Sequence, residues 1–132
     1  IRRMVEDLNV PIRIEGCETV READGLALSS RNRYLSHEQR QAALSLWKTL
    51  VSVKKQVARG QLEVSALESD MQATLSAHGA QRIDYAAIVD RDTLQPVERV
   101  DRPCVALIAA HVGNTRLIDN VLIDAAATAG QT

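Results

Sequence analysis

The sequence predicts an α+β fold in which a helical pair packs beside a small antiparallel sheet. Two segments in the middle of the chain repeat apolar residues at helical spacing, and each ends at a glycine. After residue 82 the apolar period changes to two, which is typical of strands. A shorter helix followed by a strand-like segment precedes them, as in half of an α/β repeat.

Composition limits the classes of function. The chain has 132 residues, of which 45% are hydrophobic and 25% charged, and this fits one globular domain or a small domain with part of another. With one Trp, two Tyr and no Phe, the chain has almost no aromatic side chains to build stacking platforms for single-stranded nucleic acid. The net charge of -1 gives no general attraction to DNA or to an anionic membrane. Any phosphate binding must therefore be local.

The first element is a helix that is already in phase at the first residue. Nothing precedes it that could cap a helix, so we expect this chain to be a piece of a longer protein. The segment Val10–Ile14 then alternates apolar and other residues, which predicts a strand. The helical stripe consists of Ile1, Met4, Val5 and Leu8.

Two capping signatures predict the starts of the helical pair. Ser36-His37-Glu38-Gln39 has the form of a capping box, and Gly60 follows the last apolar turn of that helix. Ser65-Ala66-Leu67-Glu68 repeats the signature, and Gly79 is placed to end the second helix. The helix face that carries Trp47 is expected to belong to the core rather than to a partner groove.

Three strands are predicted after the helices. The first is half-exposed, with Ile83, Tyr85, Ala87 and Val89 on one face. The apolar run Cys104–Ala110 predicts a central strand covered on both faces, and Arg116–Ile123 is its expected partner across a two-residue type II′ turn at Gly113. Cys17 and Cys104 are expected to be reduced thiols of the core, and the tail after Asp124 to fray.

The sharpest chemical feature is the loop Leu28-Ser29-Ser30-Arg31-Asn32. It lies in a polar connection of about sixteen residues, and loops of that length are uncommon without a function. Two hydroxyls and a planar guanidinium can surround a polyphosphate together with backbone N–H groups. From the residues alone, a solvated turn with incidental arginines remains the alternative.

The other polar residues fit structural roles. The three histidines are expected to be structural or exposed, since each lies beside a helix end or a hairpin. Four aspartates could suggest a metal cluster, but strand alternation and turn chemistry explain them. No metal ligand is therefore predicted among the histidines His37, His78 and His111 or the aspartates Asp84, Asp90, Asp92 and Asp101.

Two islands resemble the pantoate–β-alanine ligase (pantothenate synthetase) family. The first island, from Val20 to Leu35, is the run Val-Arg-Glu-x-Asp-Gly-Leu-Ala-Leu-Ser-Ser-Arg-Asn-x-Tyr-Leu. The second island is Thr115–Asn120, which resembles a segment near the C-terminus of proteins in that family. The resemblance implies the C-terminal portion of such an enzyme. It implies that residues 1–33 are the remnant of a Rossmann-like ATP-binding domain with a Ser-Ser-Arg phosphate loop, 34–124 a C-terminal α+β lid domain, and 125–132 a flexible tail.

The resemblance also implies a reaction. The pantoate carboxylate attacks the α-phosphorus of ATP with its Mg²⁺ ion, giving pantoyl adenylate and pyrophosphate, and β-alanine then displaces AMP. By motif position, Ser29, Ser30 and Arg31 hold the β- and γ-phosphates, Arg31 acts catalytically by stabilising the departing pyrophosphate, and the Val20 backbone meets the adenine. Asp119 and Asn120 are assigned a structural role.

Other parts of the family pattern have no match in this chain. These parts are the family's His-bearing motif, its pantoate pocket and its Lys-Asp loop, so the chain alone is expected to be inactive. The whole enzyme is implied to be a cytoplasmic homodimer that acts on small-molecule substrates, without nucleic acid or membrane partners. Two alternatives stay open: another adenylate-forming nucleotidyltransferase, or a non-catalytic α+β interaction module whose arginine loop binds a phosphorylated partner.

Overall fold

Two long helices lie against one face of a three-stranded antiparallel sheet, which confirms the predicted α+β class. The computed structural model describes residues 1–124, so the predicted flexible tail 125–132 lies outside the described residues. Along the sheet the strand order is β1-β2-β3. The elements are α1 (Arg2–Asp7), a 3-10 helix (Ser30–Tyr34), α2 (His37–Ala58), α3 (Val64–Ala77), β1 (Arg82–Asp90), β2 (Cys104–Val112) and β3 (Thr115–Ile123).

The boundaries of α2 follow the local sequence. The Ser36 hydroxyl accepts the Gln39 amide at 3.2 Å, and the Gln39 side chain accepts the Ser36 amide at 2.9 Å, so the predicted capping box is confirmed. After Ala58 the chain leaves the helix through Gly60, whose φ of +92° is readily adopted only by glycine.

The start of α3 is set by tertiary contacts instead. The predicted capping box at Ser65–Glu68 is wrong, because α3 begins at Val64 without a side-chain cap. The Val64 amide donates to the Glu98 carbonyl at 3.0 Å, and this contact with the β1–β2 connection satisfies an amide that a cap would otherwise bind. Glu68 accepts the Ile88 amide at 2.8 Å and joins α3 to β1.

A β-bulge in β1 reverses the predicted faces of that strand. Ile83 pairs with Ala110, but Tyr85 pairs with Ala109, so Asp84 is the extra residue. Beyond the bulge the buried side chains are therefore Ala86 and Ile88, and not the predicted Tyr85, Ala87 and Val89. A single inserted residue moves the whole alternating set to the opposite face.

The other two strands agree with their patterns. β2 is the central strand and is buried along most of its length. Gly113 has a φ of +58° while Asn114 does not have a positive φ, which is the arrangement of the predicted type II′ turn. Buried members of the helices and the sheet form one core that includes Leu50, Val53, Leu67, Met71, Leu75, Ile88 and Ile108.

The first twenty residues depart most from prediction. The helix at Arg2–Asp7 is confirmed, but Val5 is the member of its apolar stripe that is buried. The predicted strand Val10–Ile14 is not formed, because it pairs with no strand among residues 1–124 and a lone strand leaves its backbone groups unsatisfied.

The two cysteines occupy different surroundings. Cys104 is fully buried, as expected, and burial raises the pKa of its thiol. Cys17 is exposed, so its predicted place in the core is wrong. Both are free thiols. Across residues 1–124, no helix has the length and apolar character needed to cross a membrane.

Candidate functional site

The two sequence islands meet at one cleft of about 310 Å³. The first island contributes the loop that leads into the 3-10 helix, and the second contributes β3. These segments are nearly one hundred residues apart, so only the fold brings them together. The polar lining residues are Thr19, Ser29, Arg31, Asn32, Arg116, Asp119 and Asn120.

A buried ion pair joins the two islands. The Arg21 guanidinium donates to both Asp119 carboxylate oxygens, at 2.7 and 2.9 Å, and the two side chains are 17% and 3% exposed. Two parallel N–H···O bonds of this kind fix orientation as well as distance. The guanidinium also lies over the Trp47 ring, 3.6 Å from its centroid, which adds a cation–π contact. Asp119 therefore has the structural role that the sequence analysis expected.

The connection before the 3-10 helix is a hydrogen-bonded turn and not an open loop. Arg21 and Ala27 form an antiparallel bridge, and the Leu28 amide donates to the Val20 carbonyl at 2.9 Å. Gly25 closes the turn with a φ of +97° and lies so near Trp47 that a Cβ atom would overlap the indole ring. The sequence pattern missed this turn because it shows little periodicity.

A second polar network fixes the far end of that turn. Arg40 on α2 donates to Glu22 at 2.6 Å and to Asp24 at 2.7 Å, and it holds the pKa of both carboxyls below their usual values. The Asn32 amide donates to Glu22 at 2.7 Å and to the Ala27 carbonyl at 3.1 Å. Its Oδ1 is buried and accepts no hydrogen bond from the described residues.

Two of the four predicted site residues line the cleft. Ser29 and Arg31 do so, and the Ser29 hydroxyl accepts the Arg31 amide at 3.2 Å as the N-cap of the 3-10 helix. Arg31 is exposed and makes no ion pair with any residue in the described part of the chain. Ser30 is exposed and Val20 is 67% exposed, and neither belongs to the lining.

Sequence reasoning missed Arg116, which also lines the cleft. Its Nε donates to the Asp84 carboxylate at 2.6 Å. The same carboxylate accepts a hydrogen bond from the Arg82 Nε at 3.0 Å, and it lies 3.4 Å from the His111 Nε2. Arg116 and Arg82 hold the pKa of Asp84 below its usual range. Nothing in the local sequence signals this cluster, because it depends on the register of three strands.

The remaining candidates have local partners. His78 caps the end of α3 with Nδ1 2.8 Å from the Thr74 carbonyl, and His37 is exposed in the first turn of α2. Asp90 accepts hydrogen bonds from the backbone amides of Asp92 and Thr93. The Asp92 and Asp101 side chains form ion pairs with neighbouring arginines. Within residues 1–124 no three His, Cys, Asp or Glu side chains are grouped to hold a metal ion.

Comparisons with known proteins match nearly the whole chain to one family. A family profile described as "Pantoate-beta-alanine ligase" matches residues 1–122. A pantothenate synthetase from Thermotoga petrophila is 46% identical over 123 residues, and one from Moorella thermoacetica is 49% identical over 124 residues. These alignments cover 93% and 94% of this chain but 44% of each relative. The chain therefore spans less than half the length of these curated relatives.

Solved structures give the same picture of the fold. A crystal structure of pantothenate synthetase from Thermus thermophilus superposes with a TM-score of 0.83 at 40% identity, covering 91% of this chain and 43% of that one. A pantoate-beta-alanine ligase from Francisella tularensis, complexed with beta-gamma ATP and beta-alanine, gives a TM-score of 0.55 at 25% identity. It covers 92% of this chain and 37% of that chain.

Proposed function

This chain belongs to the pantoate-beta-alanine ligase family, and from this we propose that it supplies the C-terminal, phosphate-binding part of such a ligase. The whole enzyme would join pantoate and β-alanine to make pantothenate. In the first step a pantoate carboxylate oxygen bonds to the α-phosphorus of ATP and pyrophosphate leaves. In the second step the β-alanine amine displaces AMP from the pantoyl adenylate.

The observation that carries the proposal is the unpaired cation at the cleft. Arg31 is exposed, lines the cleft, and has no carboxylate partner in the described residues. A guanidinium held this way is available to the β- and γ-phosphates, and it stabilises the charge that grows on pyrophosphate as the P–O bond breaks. A permanent buried ion pair at Arg31 would have opposed this role.

The serines contribute in different ways. The Ser29 hydroxyl accepts the Arg31 amide, which leaves its own O–H free to donate to a phosphate oxygen. Ser30 is exposed at the first position of the 3-10 helix. Its hydroxyl would contact a phosphate only when the rest of the ligase closes over this helix. The backbone of Val20, already bonded to Leu28, is proposed to meet the adenine.

Exposed apolar side chains beside the motifs support a lid role. Leu28 is 64% exposed and Ile118 is 56% exposed, and both line the cleft. Contact with another lobe would remove this surface from water. Closure over an acyl adenylate also excludes water that would hydrolyse it before β-alanine attacks. The division at residues 33 and 34, the Rossmann-like character of residues 1–33, the homodimer and the cytoplasmic location stay predictions.

Mg²⁺ has no fitting site among the described residues. Asp119 is the carboxylate that faces the cleft, and both of its oxygens accept hydrogen bonds from Arg21. No grouping of three suitable side chains occurs in residues 1–124. We propose that the described residues act on the phosphates through guanidinium and hydroxyl donors.

A chimera tests the proposal. Residues 1–124 replace the matching region of the Thermotoga petrophila relative, and pantothenate formation from pantoate, β-alanine and ATP is measured beside the 132-residue chain alone. We expect a working chimera and an inactive chain. A folded but inactive chimera would contradict the proposal.

A further inference from the structure

We propose that Arg116 is a second cation for the triphosphate tail, and that Asp84 is its positioning residue. This inference rests on the proposed function, since it concerns the same cleft. Arg116 follows Thr115, the first residue of β3 after the β2–β3 hairpin, and it lines the cleft together with Arg31 from the other sequence island.

The Arg116 guanidinium has N–H groups that do not bond to Asp84. Its Nε is the atom that donates to Asp84, at 2.6 Å, and a guanidinium carries five N–H groups. The Arg116 side chain is 48% exposed, so an anion in the cleft can reach the terminal nitrogens. A guanidinium anchored at one edge presents the other edge in a fixed direction.

The charges around the cleft do not cancel. Asp84 brings one negative charge to two arginines, Arg82 and Arg116, so this cluster retains a positive charge before any protonation of His111. The carboxylate that lines the cleft, Asp119, is matched by its own arginine. Arg31 adds a further unpaired cation. Two guanidinium groups facing one cleft repel each other unless an anion lies between them.

The β-bulge explains how Asp84 reaches Arg116. These residues belong to β1 and β3, and His111 on β2 lies between them in the sheet. Asp84 is the unpaired residue of the bulge, and such residues are re-aimed relative to the regular strand. The carboxylate thus contacts a residue two strands away. Because its pKa is lowered by Arg116 and Arg82, Asp84 is ionised and holds Arg116 at neutral pH.

Titration of the 132-residue chain with inorganic tripolyphosphate tests this assignment. Backbone NMR shifts report the site and give dissociation constants into the millimolar range. Removal of one charge-assisted contact in Arg116→Ala is expected to raise the dissociation constant about ten-fold, and Arg116→Lys to raise it less. Arg102→Ala is the control, since Arg102 pairs with the exposed Asp101 and does not line the cleft. It should change the constant less than about two-fold.

A double-mutant comparison separates positioning from general stability. Asp84→Asn removes a negative charge, which by itself favours an anion, so weaker tripolyphosphate binding in the wild-type chain without further loss in the Arg116→Ala background identifies positioning. Tighter binding by Asp84→Asn would contradict the positioning role. Equal losses in both backgrounds would overturn the positioning role. If Arg31→Ala weakens binding while Arg116→Ala and Arg116→Lys do not, the second cation is refuted and the proposed function stands. If the wild-type chain shows no shifts at the cleft into the millimolar range, the second cation is refuted, and activity of the chimera decides the proposed function.

Discussion

Arg21 and Asp119 are joined by two hydrogen bonds although 98 residues separate them in sequence. Arg21 also bonds the Gly25 carbonyl at 3.1 Å, so one guanidinium ties the turn of the first motif to β3. The Ser29–Arg31 loop follows this turn and therefore has a fixed position relative to Arg116. The phosphate-binding geometry that we propose depends on this ion pair.

Asp119→Ala should destabilise the fold strongly. It leaves the partly buried Arg21, whose side chain is 17% exposed, without its carboxylate, and the expected cost is at or below the roughly 3–5 kcal/mol for a fully buried pair. Urea unfolding measures the change in the free energy of unfolding. Asp7→Ala is the control, because the Arg3–Asp7 pair is 82% and 60% exposed and pairs of that kind contribute about 0.3–0.5 kcal/mol. Similar losses for both variants would contradict this account.

Gly25→Ala should be more damaging than Gly60→Ala. Both glycines have positive φ, at +97° and +92°, so both variants carry the backbone cost of about 1–2 kcal/mol. Only at Gly25 does the added Cβ overlap Trp47, and overpacking adds about 1–3 kcal/mol. Thermal unfolding compares the two variants, and an equal loss of stability would show that Trp47 moves aside freely.

Acid should loosen the turn that leads to the phosphate loop. Arg40 depresses the pKa of Glu22 and Asp24 in the folded chain, so their contribution to stability is complete above their ordinary pKa values of about 4. It is lost as the pH falls through the depressed folded values. The measurement is urea unfolding as a function of pH. Glu22→Gln with Asp24→Asn should flatten the profile below about pH 4, and an unchanged profile would contradict this.

The two thiols should react at very different rates. Cys17 is exposed, whereas Cys104 is buried and its pKa is raised. An aromatic disulfide reagent should modify one thiol in the native chain and the second only on unfolding, because the thiolate is the reactive form. Cys17→Ser identifies the fast thiol. Equal reaction of both in the native chain would contradict the described burial.

The parts of the fold that could be predicted are those with local causes. The capping box at Ser36 and the glycine after Ala58 act within one helical turn, and their prediction is confirmed. The β-bulge at Asp84 and the start of α3 at Val64 depend on pairing with distant residues, so the alternating pattern and the capping signature gave wrong answers there. Long-range register decides such features.

The candidate site was predicted only in part for the same reason. The sequence motif pointed to Ser29 and Arg31, and both line the cleft. Arg116 carries no local signature, because its role comes from a carboxylate two strands away. The assignment of Val20 and Ser30 to ATP stays a prediction, since both lie outside the lining of this cleft.

Single-turnover release of pyrophosphate by the chimera with Arg31→Ala tests the central claim most directly. Arg33→Ala is the matched control, because Arg33 is an exposed arginine of the same 3-10 helix that does not line the cleft. We predict that Arg31→Ala slows release about ten- to a thousand-fold while Arg33→Ala leaves it nearly unchanged. Release at the unaltered rate in Arg31→Ala would show that Arg31 does not stabilise the departing pyrophosphate.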